Sequence, residues 1–285
     1  MTKIAHVKVP QGLGDIFWVY RKLFPVFDEL HFYICILDQD DPVQKRSADL
    51  FTSLEKVKSV QTELVDKSVY RRVINGKFRL RHILKDYESG EIHFEYGCNR
   101  WLEIGRKLED IDPESPPQWD LDLPLEKFST APDNPYNLLY VSGHTRHLGN
   151  EAWSIDQWVE LVHGYYDELN LTLPVHLIGA DYDVEVQQEI KEKLESVGLQ
   201  GVSLYTSLPM PQLCWLIKHA EVFIGYQSGL NILADHLNTR QLMVYFNQLC
   251  KMTDTWVKPV NRVNGNFNHM LFKESPTKIG VPKLI

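Results

Sequence analysis

Two glycine turns in this sequence carry side chains that suit the handling of an anion and of a proton. The first to consider runs Gly225-Tyr226-Gln227-Ser228-Gly229, after the apolar residues 222–224 and before an apolar stretch through His236. This pattern predicts a buried strand, a tight turn and a helix with Ser228 at its N-cap. Backbone N–H groups and the positive end of the helix dipole then point at one place, which favours a phosphate close to Gly229. The same residues also fit an ordinary strand-to-helix turn of a parallel α/β sheet that binds no ligand.

The second turn, Gly12-Leu13-Gly14-Asp15, follows a predicted strand over residues 4–9 and opens a predicted helix. A carboxylate in this place could accept a proton as a general base. It could also only stabilise the helix start, by about 0.3–1 kcal/mol. The dinucleotide fingerprint G-x-G-x-x-G is incomplete, because Phe17 occupies the place of the third glycine.

A basic segment, residues 67–85, interrupts an acidic chain. It holds lysines and arginines but no Asp or Glu, with Tyr70, Phe78 and His82 between them, whereas the whole chain has a net charge of −8. Such a segment can attract an anionic partner, or it can be a solvated helix or loop face. The cations within it that could contact such a partner are Arg71, Arg72, Lys77, Arg79 and Arg81.

Composition limits the function classes. The 285 residues suffice for two domains, and the net charge of −8 argues against a protein that coats nucleic acid. Four cysteines without C-x-x-C spacing suggest neither a zinc site nor a disulfide framework. We find no signal peptide and no membrane-spanning run, so we expect a cytoplasmic protein.

The elements that must position the two turns alternate between strand and helix, most regularly over residues 137–246. This alternation predicts an α/β fold with parallel sheets. A proline-rich segment, residues 124–135, is the predicted linker. We therefore predict an N-terminal domain, residues 1–130, and a C-terminal domain, residues 131–285.

The order of several short motifs resembles the heptosyltransferase-like (family 9-like) glycosyltransferases. The resemblance covers most of the chain and is best over residues 137–246. It implies the GT-B fold, in which two Rossmann-like parallel-sheet domains face each other across a cleft. The motifs are Gly12-Leu13-Gly14-Asp15, the loop after Tyr140-Val141-Ser142 with Ala152-Trp153-Ser154-Ile155-Asp156-Gln157-Trp158, Val175-His176-Leu177-Ile178-Gly179-Ala180, and Phe223-Ile224-Gly225-Tyr226-Gln227-Ser228-Gly229-Leu230.

This resemblance implies a division of roles between the domains. The C-terminal domain would bind a nucleotide-sugar donor and the N-terminal domain an anionic acceptor, with Asp15 as catalytic base and Gly12 and Gly14 beside the acceptor. Direct attack assisted by Asp15 would invert the anomeric carbon. We expect no cofactor and no metal, since the D-x-D pairs at residues 38–40 and 120–122 lie outside the expected cleft. The implied donor-binding residues are Ser142, His144, Thr145, Arg146, Gly179, Gln227, Ser228 and Gly229.

Three donor-side positions depart from the family pattern. Glu151, Gln227 and Ile232 stand where the family has a lysine, an acid and a histidine, which leaves the sugar and nucleotide open. Positive charge from Arg146, or from His144 or His147, could replace what is missing.

The acceptor is also left open. A phosphorylated lipopolysaccharide-type glycan and viral DNA that carries hydroxylated bases are both anionic, and the aromatics near the basic segment suit either sugars or bases. Two further alternatives are a relative that binds a nucleotide-sugar without transferring it, and a Rossmann-type oxidoreductase. The absent third glycine disfavours the oxidoreductase.

Overall fold

The structure is a computed structural model. It divides into two compact units, Met1–Leu125 and Glu126–Ile285. The predicted boundary lies between residues 130 and 131, and the roles assigned to the two domains stay predictions. The residues described are 2–10, 12–38, 42–68, 82–86, 91–94, 122–141, 153–169, 173–226, 228–245 and 267–271.

The first unit contains a five-stranded sheet with the order β3-β2-β1-β5-β4. All neighbouring strands are parallel except β4, which runs antiparallel to β5 at the edge. Residues 82–85, the end of the basic segment, therefore lie in a strand, whereas the alternative to an anion-binding role was a solvated helix or loop face. The elements are β1 (Ile4–Pro10), α1 (Leu13–Leu23), β2 (Glu29–Ile36), α2 (Pro42–Thr52), β3 (Val57–Leu64), β4 (His82–Asp86) and β5 (Glu91–Phe94).

The core of this unit lies between the sheet and helices α1 and α2. Alternate residues of β1, from Ala5 to Val9, are fully buried, as expected for one packed face of a strand. Phe17 and Tyr20 of α1 meet Phe51 of α2 with ring centroids 6.2 and 6.3 Å apart. These contacts fix how α1 lies on the sheet.

The second unit contains a six-stranded parallel sheet with the order β11-β10-β9-β6-β7-β8. Numbered within the unit, this is the Rossmann order 3-2-1-4-5-6. The alternation of strand and helix predicted over residues 137–246 is confirmed, and β11 is additional. The elements are β6 (Asn137–Tyr140), α3 (Ile155–Leu169), β7 (Val175–Gly179), α4 (Val184–Ser196), β8 (Ser203–Thr206), α5 (Met210–Lys218), β9 (Val222–Tyr226), α6 (Gly229–His236), β10 (Gln241–Tyr245) and β11 (Phe267–Leu271).

The burial of these strands explains why they could be predicted from the sequence. All residues of β6 and β9 are buried, because helices cover both faces of a parallel sheet. The apolar face of α3 includes Trp158, Leu161 and Val162, which are at most 2% exposed. Within the described part of the chain, no helix has the length and apolar character needed to cross a membrane.

The predicted linker is packed on the second unit. Phe128 lies 5.7 Å from the ring of Tyr205 and 6.3 Å from the ring of Trp215. The Glu126 N–H donates to the carbonyl of Pro211 over 3.1 Å, and Tyr205 Oη donates to the carbonyl of Thr130 over 3.0 Å. From Glu126 onward this segment is therefore part of the second unit.

Candidate functional site

The order of strands in the second unit reverses between β6 and β9, which are adjacent and parallel. Ligands of open α/β sheets bind outside the carboxyl ends of the strands at such a reversal. β6 ends at Tyr140 and β9 ends at Tyr226. Two of the three segments predicted to bind the donor, residues 142–146 and 227–229, therefore follow strands that end at this reversal.

Gly225 lets β9 and β6 pack closely at the reversal. It pairs with Tyr140 in the register of the two strands. A Cβ on Gly225 would lie 2.9 Å from the Tyr140 carbonyl oxygen, closer than real Cβ atoms come to other atoms. The two strand ends are thus held in fixed relation to each other.

The turn from β9 into α6 has the predicted form. Ser228 is the N-cap in extended conformation, with φ −155° and ψ 176°, and Gly229 is the first helical residue. However, the Ser228 side chain makes no capping hydrogen bond to the helix. The N–H groups of the first turn are therefore not satisfied by Ser228, and together with the helix dipole they favour an anion here.

The Ser228 hydroxyl is instead directed at Asn231. Ser228 Oγ donates to Asn231 Oδ1 over 3.0 Å, and Asn231 Nδ2 in turn donates to Gln241 Oε1 over 3.3 Å. Asn231 and Gln241 are buried, whereas Ser228 is half-buried. A buried amide pair thus orients the hydroxyl at the start of α6.

Tyr226, the residue at the end of β9, joins this turn to the start of α3. Its Oη accepts hydrogen bonds from the backbone N–H of Trp153, over 2.9 Å, and from Nε1–H of Trp158, over 3.2 Å. The Tyr226 and Trp158 rings are perpendicular, with centroids 4.6 Å apart. Burial raises the pKa of Tyr226 to about 12, although the two accepted hydrogen bonds act in the opposite direction. The phenol is therefore neutral at neutral pH.

Helix α3 begins with a capping box. The Gln157 N–H donates to Ser154 Oγ over 3.3 Å, and the Ser154 N–H donates to Gln157 Oε1 over 2.9 Å. This reciprocal pair fixes the first turn of the helix. Ser154 is therefore the N-cap of α3.

Gly179, a predicted donor-binding residue, ends β7 under two buried side chains. A Cβ on Gly179 would collide with Gln187 Nε2 and would lie 2.9 Å from Asp183 Oδ2. Asp183 Oδ2 accepts the Ala180 N–H over 2.9 Å, and Gln187 Nε2 donates to the Ile178 carbonyl. Packing alone explains this glycine, and its contact with a donor stays a prediction.

The first unit places the other glycine turn at a comparable position. β1 lies between β2 and β5, so the order of the described strands reverses beside β1. Gly12 is the N-cap of α1, and Asp15 is the third residue of that helix. The far end of α1 is held by Lys56, whose Nζ donates to the carbonyls of Phe24 and Phe27 over 2.7 and 3.0 Å. The backbone of Asp15 thus belongs to a helix fixed at its core face and at its C-terminal end.

Several predicted site residues lie outside the described residues. Among the residues whose side chains are described, no cluster of three or more His, Cys, Asp or Glu could hold a metal ion. The predicted residues outside the described ones are Ser142, His144, Thr145, Arg146 and Gln227 on the donor side, and Arg71, Arg72, Lys77, Arg79 and Arg81 on the acceptor side.

Two residues that shape the candidate site were not predicted from the sequence. Asn231 lies three positions after the N-cap, where side chains commonly meet an N-cap residue, so its spacing was a usable signal. Tyr226 carried no such signal, because its partners Trp153 and Trp158 are distant in sequence.

Both units are Rossmann-like. The first has a glycine turn at the end of β1, and the second has one after β9, at the strand reversal. Together they define an α/β protein of the GT-B class. Solved structures with this fold are similar to most of the chain. The E. coli ADP-heptose lipopolysaccharide heptosyltransferase II superposes with a TM-score of 0.56 and 13% identity, covering 97% of this chain and 96% of that one. The E. coli heptosyltransferase WaaC with ADP gives a TM-score of 0.51 and 11% identity, covering 93% and 92%.

A third structure, the family 9 glycosyl transferase of Veillonella parvula, gives a TM-score of 0.56 and 10% identity, covering 86% of this chain and 80% of that one. No curated protein matches the chain by sequence. The family model of glycosyltransferase family 9 (heptosyltransferase) matches residues 77–279, which is more than half of the chain. The chain therefore belongs to glycosyltransferase family 9 and is a glycosyltransferase. The oxidoreductase alternative is wrong.

Proposed function

We propose that this glycosyltransferase moves a sugar from a nucleoside-diphosphate sugar to a hydroxyl of an anionic acceptor, with inversion and with Asp15 as general base. The observation that carries the proposal is the start of α6. It lies at a strand reversal of a Rossmann-order sheet, and its N–H groups are not capped by Ser228. This is where such a sheet binds the phosphates of a nucleotide.

The donor diphosphate would meet the backbone N–H groups of Ser228 and Gly229. Fixed donors aimed at the leaving group act most strongly when its charge grows, so they accelerate transfer rather than only tighten binding. A cation from residues 144–147 would add to this stabilisation. Arg146→Ala is then expected to weaken donor binding, and unchanged affinity would remove Arg146 from the site.

The transfer step would be a direct displacement. The acceptor hydroxyl oxygen forms a bond to the anomeric carbon as the bond from that carbon to the diphosphate oxygen breaks. The hydroxyl proton passes to the Asp15 carboxylate, and the diphosphate leaves with the electron pair of the broken bond. A single displacement of this kind inverts the anomeric configuration, and it requires no metal and no cofactor.

The acceptor would be an anionic glycan of the lipopolysaccharide type. The sequence supports an anionic class through the basic segment of residues 67–85. Two of the similar proteins are named heptosyltransferases, one of them for lipopolysaccharide. Hydroxylated DNA is the competing outcome of the acceptor test.

The donor test is a thermal-shift panel of ADP, UDP, GDP and CDP with the purified chain. A nucleotide that binds only the folded state raises the Tm, by an amount that grows with concentration above Kd. ADP is the first probe, since one similar structure contains it. If no nucleoside diphosphate shifts the Tm, the proposed donor class is wrong.

The acceptor test uses the sugar form of the nucleotide found in that panel. Transfer to a phosphorylated core glycan, with weak or salt-insensitive DNA binding, is the expected result. Duplex DNA binding that weakens steeply with salt, together with transfer to hydroxymethylated DNA, would replace the glycan by DNA as acceptor. Donor binding with no hydrolysis of the donor and no transfer to either acceptor would favour a non-catalytic relative.

A further inference from the structure

The two tryptophans that contact Tyr226 form the hydrophobic staple of α3. Trp153 directly precedes the N-cap Ser154, and Trp158 is the fourth residue of the helix. Their ring centroids are 5.1 Å apart. A staple of this kind fixes the angle at which the chain enters a helix. Because Tyr226 Oη binds the backbone of one member and the indole of the other, it ties the end of β9 to that entry.

We propose that Tyr226 is a positioning residue for donor binding. Its hydroxyl, held by Trp153 and Trp158, keeps the end of β9 in the place from which Ser228 and Gly229 meet the donor diphosphate. This inference rests on the proposed function, which assigns the diphosphate to that turn. Tyr226 itself is 4% exposed and acts through the backbone that follows it.

The end of β9 is pinned on two sides. Gly225 packs against the Tyr140 carbonyl, and Tyr226 is bonded to the start of α3. The Ser228 N-cap follows Tyr226 by two residues, so a shift of the strand end carries the first N–H groups of α6 with it. Removing the Tyr226 hydroxyl takes the acceptor away from two buried N–H groups, which favours such a shift.

The chain offers a matched control in Tyr136. This tyrosine is also buried, at 2% exposure, and its Oη makes one hydrogen bond, donated to the Leu216 carbonyl over 2.7 Å. It directly precedes β6, so it lies at the opposite edge of the same sheet from the β9–α6 turn. Tyr136→Phe therefore removes the same atom from the same unit without touching the proposed donor site.

The experiment compares Tyr226→Phe and Tyr136→Phe in the full chain. The probe is the nucleoside diphosphate that gives the largest wild-type thermal shift, with ADP tried first. We expect both variants to lower the Tm, since each loses a buried hydrogen bond. Only Tyr226→Phe is expected to raise the calorimetric Kd, by about tenfold, the size of one ordinary hydrogen-bond contribution. It should raise the donor KM in parallel and leave the acceptor KM unchanged.

Equal nucleotide affinity of Tyr226→Phe and the wild type would overturn the inference, and so would an equal loss in both variants. If the wild type itself binds no nucleoside diphosphate, the proposed function and this inference both fail. If the wild type binds and only the comparison of variants fails, the proposed function stands and this inference is wrong. Should Tyr226→Phe not fold, Trp158→Phe removes the indole donor and keeps a buried ring. Weaker nucleotide binding by that variant supports the inference, and wild-type binding overturns it.

Discussion

Ser228 Oγ donates its hydrogen bond to Asn231 Oδ1 over 3.0 Å, within the first turn of α6. The hydroxyl proton is therefore directed at a buried amide, and the Ser228 lone pairs do not cap the helix. A phosphate that arrived at this turn would find backbone N–H groups that the N-cap side chain does not satisfy. The hydrogen bond to Asn231 thus leaves the backbone N–H groups of the first turn, rather than the Ser228 hydroxyl proton, to face an anion.

We predict that Asn231→Asp weakens binding of ADP, or of the nucleotide found in the panel. The substitution puts a carboxylate three residues from the N-cap, where it repels the diphosphate, and the expected rise in Kd is about tenfold. The effect should deepen between mildly acidic and mildly alkaline pH, as the buried carboxyl ionises. Calorimetry at both pH values measures it.

The control for this charge change is Asn238→Asp. Asn238 is exposed just beyond the C-terminal end of α6, at φ +58°, a conformation that Asp tolerates. It adds the same charge at the other end of the helix and should leave the nucleotide Kd within about twofold, because an exposed charge is screened over this distance. Equal loss of affinity in the two variants would mean that net charge, not the turn, governs binding.

Two glycines of the second unit should respond oppositely to the same substitution. A Cβ on Gly225 would lie 2.9 Å from a backbone oxygen, so Gly225→Ala should lower the free energy of unfolding by about 1–3 kcal/mol. Gly164 lies within α3 with nothing within 4 Å of an added Cβ, so Gly164→Ala should raise it by about 0.5–1 kcal/mol. Urea unfolding of both variants checks the signs, and a neutral Gly225→Ala would contradict close packing of β6 and β9.

The proposal that the α6 N-terminus and protein cations stabilise the leaving diphosphate predicts that transfer does not require a metal ion. If these groups stabilise the leaving diphosphate, excess EDTA should leave the initial rate of transfer unchanged within about twofold. Added Mg²⁺ should then do no more than chelate the free donor. Loss of activity in EDTA that Mg²⁺ or Mn²⁺ restores would assign part of this role to a metal.

Local signals were enough to predict most of the fold. In residues 137–246 most strands are short, mainly apolar runs, and helices such as α3 carry a cap and one apolar face. Strands β4, β5 and β11 were missed because each is only four or five residues long and mixes polar with apolar side chains. Their formation depends on pairing with neighbouring strands, β4 with β5, β5 with β1 and β11 with β10, which local sequence does not specify.

The candidate site was predictable only in part. Ser228 could be placed at an N-cap from its neighbours, and the structure confirms that position. The direction of the Ser228 hydroxyl could not be predicted, since that direction depends on the conformation of Asn231 and on the Gln241 amide. The bonds from Trp153 and Trp158 to Tyr226 span 73 and 68 residues. Sequence periodicity carries no information on which buried polar atoms meet at such separations.

His176 should make the stability of the second unit sensitive to acid. It is buried in β7 between Tyr136 and Tyr205, with ring centroids 5.2 and 5.4 Å away. Burial lowers its pKa, and a hydrogen bond with the Val175 backbone offsets this in part. The unfolded chain takes up a proton below about pH 6.5 that the folded chain refuses, so the free energy of unfolding falls as pH drops from there towards the lowered folded pKa.

The variant that tests this is His176→Phe, which keeps a ring between the two tyrosines. Its loss of stability per pH unit below about 6.5 should be smaller than that of the wild type, by up to about 1.4 kcal/mol per unit for one proton. Urea unfolding across that range measures the two slopes. Identical slopes would mean that His176 does not contribute to the acid sensitivity.

Asp15→Asn tests the proposed base. The amide keeps the size of the side chain but cannot accept the hydroxyl proton, so kcat should fall by about 10²–10⁴ while the calorimetric Kd of the nucleotide stays within about twofold. Asp28→Asn is the control within the same unit. Asp28 is exposed and accepts the Lys3 N–H over 2.8 Å, so its neutralisation should leave kcat unchanged. If Asp15→Asn turns over at the wild-type rate, Asp15 only stabilises the start of α1, and that role would appear as a lower Tm with normal kinetics.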